Sequence, residues 1–261
     1  MKSMIHALYF EKINAQIKKI FALFLFVLFS VTLYAQQMEV TRSGVPIHFG
    51  LEITPSIVWL KAENPLPPAL DGNGSKVGFG FGLMTEFGFS RNYSFATGID
   101  INYRGGNLKS LMKTAIAGGN PGDSLSTLTT SNYTLEYIEI PLTLKMKTNE
   151  IGYLTYFGQI GLAPGINISS KADIQTQTQT VNSSGAGSNT TTSDSNGADV
   201  SKAINTFNLS LIVSIGAEYS LGGSTTALAA ITFNNGFLNV LSADNYKAIS
   251  NCLGLTVGVL F

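Results

Sequence analysis

Residues 77–90 read Val-Gly-Phe-Gly-Phe-Gly-Leu-Met-Thr-Glu-Phe-Gly-Phe-Ser. A helix would scatter these apolar side chains around its axis. An extended strand sends successive side chains to opposite faces. Val77, Phe79, Phe81, Leu83, Thr85, Phe87 and Phe89 then share one face, and Gly78, Gly80, Gly82, Met84, Glu86, Gly88 and Ser90 share the other. A strand that is apolar on one side and small or polar on the other suits a barrel wall between lipid and an enclosed lumen. An inner face this rich in glycine predicts a narrow lumen or a large side chain opposite. These glycines lack the G-x-G-x-x-G spacing and following helix of a dinucleotide loop.

The same alternation recurs along the chain. The first strand, 47–59, sends Ile47, Phe49, Leu51, Ile53, Ile57 and Trp59 outward, with Glu52 inward. The third, 93–104, sends Tyr93, Phe95, Ile99, Ile101 and Tyr103 outward, with Asp100 and Arg104 inward. The fourth, about 132–147, places Ile138, Ile140, Leu142, Leu144 and Met146 outward, and Glu139, Thr143, Lys145 and Lys147 inward. A fifth strand, 151–167, has weaker periodicity. The sixth, 205–221, alternates from Phe207 to Tyr219 and carries Glu218 inward. The seventh spans about 225–237. The eighth, 249–261, ends on a stripe of Leu253, Leu255, Val257, Val259 and Phe261. Pro55, Pro141 and Pro164 each remove one ladder donor, so a bulge or local irregularity is expected at each.

Composition agrees with this pattern. Only 12% of residues are charged, although hydrophobic residues make up an ordinary 44%. A transmembrane barrel spreads its hydrophobicity over alternate positions and so needs no long apolar run. The single cysteine, Cys252, cannot form an internal disulfide. No basic run of the nucleic-acid-binding type is present.

At the N-terminus, Lys12, Lys18 and Lys19 precede an apolar run from Ile20 through Leu33, followed by Ala35 and Gln36. This is the order of a secretory signal peptide, 1–35, with cleavage expected between Ala35 and Gln36. Its removal takes away four basic residues and one acidic residue, leaving 12 basic and 15 acidic, about −3. Residues 36–46 then read as a periplasmic segment and 47–261 as the barrel.

The connections set the topology. Those after the first, third, fifth and seventh strands are long; those after the second, fourth and sixth are tight. The expected fold is therefore all-β, an eight-stranded antiparallel up-and-down transmembrane barrel with long external loops and short periplasmic turns. Within the long connections, 105–131 reads as a Gly/Ser/Thr-rich loop with a short helix around 108–117. Segment 168–204 reads as a long, polar, mobile external loop.

Tyr137-Ile-Glu-Ile-Pro-Leu-Thr-Leu-Lys145, followed by Tyr153-Leu-Thr-Tyr-Phe-Gly-Gln-Ile-Gly161, resembles the PorT-like outer-membrane β-barrel family of Bacteroidetes. Gly98-Ile-Asp-Ile-Asn-Tyr-Arg-Gly105 is similar to that family's third strand, and Tyr34-Ala-Gln-Gln37 to leader junctions of that phylum. The resemblance implies an eight-stranded barrel without a shared catalytic activity, whose founding member is linked to a secretion system. Phe261 resembles the C-terminal signal read by barrel-assembly machinery.

The candidate chemistry is a lumen network of Glu52, Asp100 and Glu139 near mid-height, Arg104 one or two layers above, and Glu86, Lys145 and Glu218 as a second group nearer the periplasm, acting as a salt-bridged plug or as a gate. No catalytic, metal or cofactor site is expected. The expected role is a non-enzymatic surface-interaction or secretion-accessory barrel in the Gram-negative outer membrane. Its expected partners are outer-membrane lipid, the assembly machinery, and a secretion-system or surface partner met through the external loops. A small porin-like channel is the alternative. A lipid-modifying barrel enzyme is the remaining one, but His48, the only histidine after the leader, lies at the periplasmic start of the first strand, the wrong side for a site at the outer leaflet.

Overall fold

The structure is a computed structural model and describes residues 47–63, 69–116, 123–181, 187–242 and 246–261. The expected leader with its Ala35–Gln36 junction, and the 36–46 segment, lie outside the described residues. Within them the β segments are β1 (Ile47–Ala62), β2 (Ala69–Gly72), β3 (Ser75–Ser90), β4 (Tyr93–Ala115), β5 (Ser124–Glu139), β6 (Leu142–Lys147), β7 (Leu154–Val181), β8 (Gly187–Asp199), β9 (Phe207–Gly222), β10 (Thr225–Gly236) and β11 (Ala248–Leu260). A 3-10 turn covers Ser201–Ala203.

Eight lanes close into a ring. β1 pairs with β3, β3 with β4, and β4 with both β5 and β6, which form one lane interrupted at Ile140 and Pro141. β5 and β6 pair with β7, and the ring continues through β9, β10 and β11 back to β1. Every pairing is antiparallel. At the seam, Phe49 and Phe261 exchange backbone hydrogen bonds of 3.0 and 2.8 Å. Closure leaves the ring no edge, as a wall immersed in hydrocarbon requires.

The predicted apolar stripes form the outer face. Leu51, Leu83, Ile99, Leu142, Ile215 and Leu255 are all exposed on it. Aromatic pairs mark both rims: Phe89 with Tyr93 and Tyr153 with Tyr219 at the end carrying the tight turns, and Trp59 with Phe233 at the far end. Tyr93 and Tyr103 on β4 are ten residues apart. At ~3.3 Å per residue and a tilt of ~40°, that separation is about 25 Å along the barrel axis, the height of an outer-membrane apolar band.

Two expectations need correction, and at the prolines the expected bulge or local irregularity takes the second form. The stretch 105–131 is neither loop nor helix where described: β4 runs on to Ala115 and β5 starts at Ser124. Segment 168–204 is not an irregular loop either. β7 extends to Val181 and returns through β8, in register from Lys171 opposite Asp199 to Val181 opposite Gly187. The prolines leave gaps in the ladders and no bulge. The β1–β11 ladder skips Thr54 and Pro55, yet register is the same on both sides of the gap. Pro141 and Pro164 fall in one gap between the β5/β6 lane and β7, where Ile140 N–H donates to the Pro164 carbonyl at 2.9 Å. Grouping the missing donors in one gap limits the damage to the ladder. The register shifts lie elsewhere, at Gly88/Ser90, Glu136/Tyr137 and Thr225/Thr226 in the ring.

Beyond the far rim, β4, β5 and β7 continue as a wall. β2 pairs onto the β4 edge and β8 onto the β7 edge, giving the order β2–β4–β5–β7–β8. At its foot is an apolar cluster of Leu60, Leu70, Leu108, Leu135, Tyr137, Ile204, Val240, Leu241 and Ala248. These residues come from strand ends and from the connections that fold over the barrel mouth.

Candidate functional site

The lumen is layered, and the alternation of the strands explains the layers. Nearest the tight turns, β3, β6 and β9 point Glu86, Lys145, Lys147 and Glu218 inward. Each lysine contacts both glutamates, so the four side chains form a closed ring of alternating charge. Lys145 lies 2.8 Å from Glu86 and also pairs with Glu218; Lys147 lies 3.0 Å from Glu218 and also pairs with Glu86. Ser94 donates a 2.8 Å hydrogen bond to Glu86, and the Lys145 ammonium sits 4.3 Å from the centre of the Phe157 ring. Two cations balance two anions, which is how such groups persist away from water.

The middle of the lumen is lined by hydroxyls. Thr54, Thr256, Thr232 and Ser214 link across β1, β11, β10 and β9 at 2.9–3.0 Å. Gln159 on β7 donates to Thr143 at 2.6 Å, and Thr143 donates to the Ala96 carbonyl at 2.9 Å. The residual cavity here is about 90 Å³. That holds a few waters and no larger solute.

Above it lies the second charged layer. Arg104 pairs with Glu139 at 2.6 Å, and the two side chains are 5% and 1% exposed. Asn102 donates to the same Glu139 oxygen at 2.9 Å. Glu52 and Asp100 lie at the same level, joined through Gly82: Glu52 is registered with Gly82, Gly82 with Asp100, and Asp100 with Glu139. Glycine is required at this point. A Cβ on Gly82 would collide with the Asp100 carboxylate, and one on Gly165 would lie 2.8 Å from Glu139 Cγ. On the inner face of β3, Gly82 therefore makes room for the Asp100 carboxylate and Gly80 for the Asn102 amide of the neighbouring strand.

The structure also brings together two of the segments that carry the family resemblance. Gly98–Gly105 and Tyr137–Lys145 are adjacent lanes, and Arg104, Asn102 and Glu139 are the inward residues where they meet. Of the seven lumen residues singled out in the sequence, Glu86, Lys145 and Glu218 join the lower layer, and Glu52, Asp100, Arg104 and Glu139 the upper. Lys147, Asn102, Ser94 and Phe157 complete these layers. Parity already places Lys147, Asn102 and Ser94 inward; Phe157 lies on the weakly periodic β7, which carries no charged inward neighbour to mark it.

The apolar cap closes the far end, with Tyr137 and Leu135 fully buried directly above Glu139 on the same strand. Beyond it stands the wall. Its inner face carries Leu108, Ser110, Met112, Thr127, Thr129, Thr176 and Thr178. Its outer face carries Lys109, Lys113, Lys171, Gln175, Gln177 and Gln179. Where β8 returns to the barrel, the Ser201 hydroxyl and amide donate to Asp199 at 2.6 and 2.9 Å. They hold its carboxyl below the usual carboxylate range.

Residues 34–251 match a family model described as outer membrane protein beta-barrel domain. No curated protein matches. Among solved structures, Neisserial surface protein A (NspA) is similar at 12% identity and a TM-score of 0.39, over 82% of this chain and 97% of that one. The outer membrane protein OprG from Pseudomonas aeruginosa is similar at 12% identity and 0.32, over 81% and 94%. Ail of Yersinia pestis, solved with the heparin analogue sucrose octasulfate, gives 12% and 0.26, over 80% and 98%. At these scores the likenesses assign nothing; the family match does.

Proposed function

Because the chain belongs to the outer membrane protein β-barrel domain family, we propose that it is a non-enzymatic barrel whose filled lumen is a rigid support and whose far-end wall meets a partner outside the cell. One observation carries this reading: the lumen is blocked at three heights, by the Glu86–Lys145–Glu218–Lys147 ring, by the Arg104–Glu139 layer and by the apolar cap. An eight-stranded ring encloses a space that side chains can fill. Here they leave about 90 Å³. The part of the molecule that exceeds what a membrane span needs is the wall, since β7 has 28 residues and a spanning strand needs ~10.

The Gly98–Gly105 and Tyr137–Lys145 segments support a narrower kinship with the PorT-like barrels of Bacteroidetes, and with it a secretion-accessory role. The tight turns then face the periplasm and the wall faces outward. His48 begins β1 at the turn end, in register with Glu86, away from the wall. That position supports leaving enzymatic chemistry out of the proposal.

The small-channel reading is separated by planar-bilayer recording of the refolded mature chain. The filled lumen predicts an electrically silent protein. Stepwise conductance that Arg104→Ala abolishes would replace this reading with a gated pore.

A further inference from the structure

Above the apolar cap, the inner face of the wall lines a second, half-open cavity of about 310 Å³, at the lower end of the range for small-molecule sites. Leu108, Met112 and Leu241 line it together with Tyr133 and Tyr246, and the hydroxyl-bearing Ser110, Thr127 and Thr129 belong to the same lining. No charged side chain of the described residues contributes to it. The hydroxyls of Ser110, Thr127 and Thr129 make no side-chain hydrogen bond to another described residue. A half-open apolar groove with hydroxyls on one wall selects by chemistry. It rewards burial of an apolar body and supplies donors and acceptors to a few polar groups, and its described lining offers no charged partner to an ion.

We infer that this cavity is a binding site for a neutral amphipathic small molecule, one with an apolar body and a hydroxyl or carbonyl group turned towards the Ser110–Thr127–Thr129 side. The ligand comes from the aqueous side of the wall. Leu108 is five residues beyond Tyr103, roughly 13 Å above the far-end girdle along the barrel axis. The cap below separates the cavity from the lumen, so the ligand is held and does not pass through. This inference rests on the proposal that the wall is the working part of the molecule. It does not depend on whether the lumen conducts, so the binding experiment and the conductance experiment fail separately.

The test uses the full mature chain in lipid nanodiscs, because detergent belongs to the ligand class itself. Three probes share one ring system: 2-naphthol is neutral with one hydroxyl, 2-naphthoate is anionic, and naphthalene has no polar group. Equilibrium dialysis with empty nanodiscs subtracted reads binding. The expected result is saturable 2-naphthol binding that Thr129→Trp abolishes by filling the cavity. Thr129→Val, which keeps the shape and removes the hydroxyl, weakens 2-naphthol by roughly threefold to tenfold and leaves naphthalene unchanged. Gln177→Trp, on the exposed outer face, changes nothing. If Thr129→Trp loses heat-modifiable migration on a gel, Met112→Trp fills the cavity from the neighbouring strand. Uptake equal to that of empty nanodiscs, binding that survives a folded filling variant, or equal binding of 2-naphthoate would overturn the inference.

Discussion

Arg104 and Glu139 show what the buried charges cost and supply. Each is out of water, and each has the other as its ion partner. Removing one partner strands the other, which typically destabilises by about 3 kcal/mol or more. Replacing both with apolar residues of similar volume avoids that penalty. Arg104→Leu is therefore expected to lower the urea midpoint of the folded band strongly, and Arg104→Leu with Glu139→Leu to recover most of the loss. A double variant as unstable as the sum of its singles would show that the pair does not act as a unit. At this scale the sequence was informative about side and about level, and silent about the individual pairs. Parity assigned Glu139 and Arg104 to the inner face. Their contact depends on the register of two strands whose connection is long, and register is a tertiary property. Lys147 illustrates the same limit: its parity is inward, but its place in the four-membered charge ring is set by β3 and β9, far away in sequence.

At the scale of elements, the barrel strands were legible and the wall was not. Alternation of apolar with small or polar residues marked most lanes of the ring, because one face meets hydrocarbon; it was weakest in the fifth strand, 151–167. The wall strands are wet on both faces, so they carry no such contrast. Gln175-Thr-Gln-Thr-Gln179 alternates, yet both partners are polar. The usable signal was β-branched threonine at every second position, together with the matching threonines of β5 and β8. The polar composition read as loop for the same reason, and the glycines Gly105 and Gly106 masked the continuation of β4. Both are inside the strand: a Cβ on Gly106 would meet the Leu60 backbone N at 2.5 Å. Because the β7–β8 hairpin above Lys171 and Asp199 contributes no lane to the ring, it is dispensable for closure. Replacing residues 172–198 by a two-residue Asn-Gly turn should leave heat-modifiable gel migration intact. Loss of that shift would mean the wall is needed to assemble the barrel.

As a whole molecule, this is an outer-membrane barrel of a Gram-negative cell, with a lipid-facing exterior, a plugged interior and a tall polar wall at one end. The order of layers follows from one rule applied around a closed ring. Every second residue faces hydrocarbon, and its neighbours must satisfy one another inside. The glycines opposite acidic side chains, the hydroxyl chain and the ion-pair ring are three ways of filling a space that leaves room for no more than a few waters. The rule can be read directly on β4 by spin labels placed one at a time from Tyr93 to Tyr103 in a Cys252→Ser background, in liposomes. Collision with lipid-soluble oxygen should peak at positions 93, 95, 97, 99, 101 and 103 and fall at 94, 96, 100 and 102. A flat profile, or one with the peaks at the even positions, would contradict it.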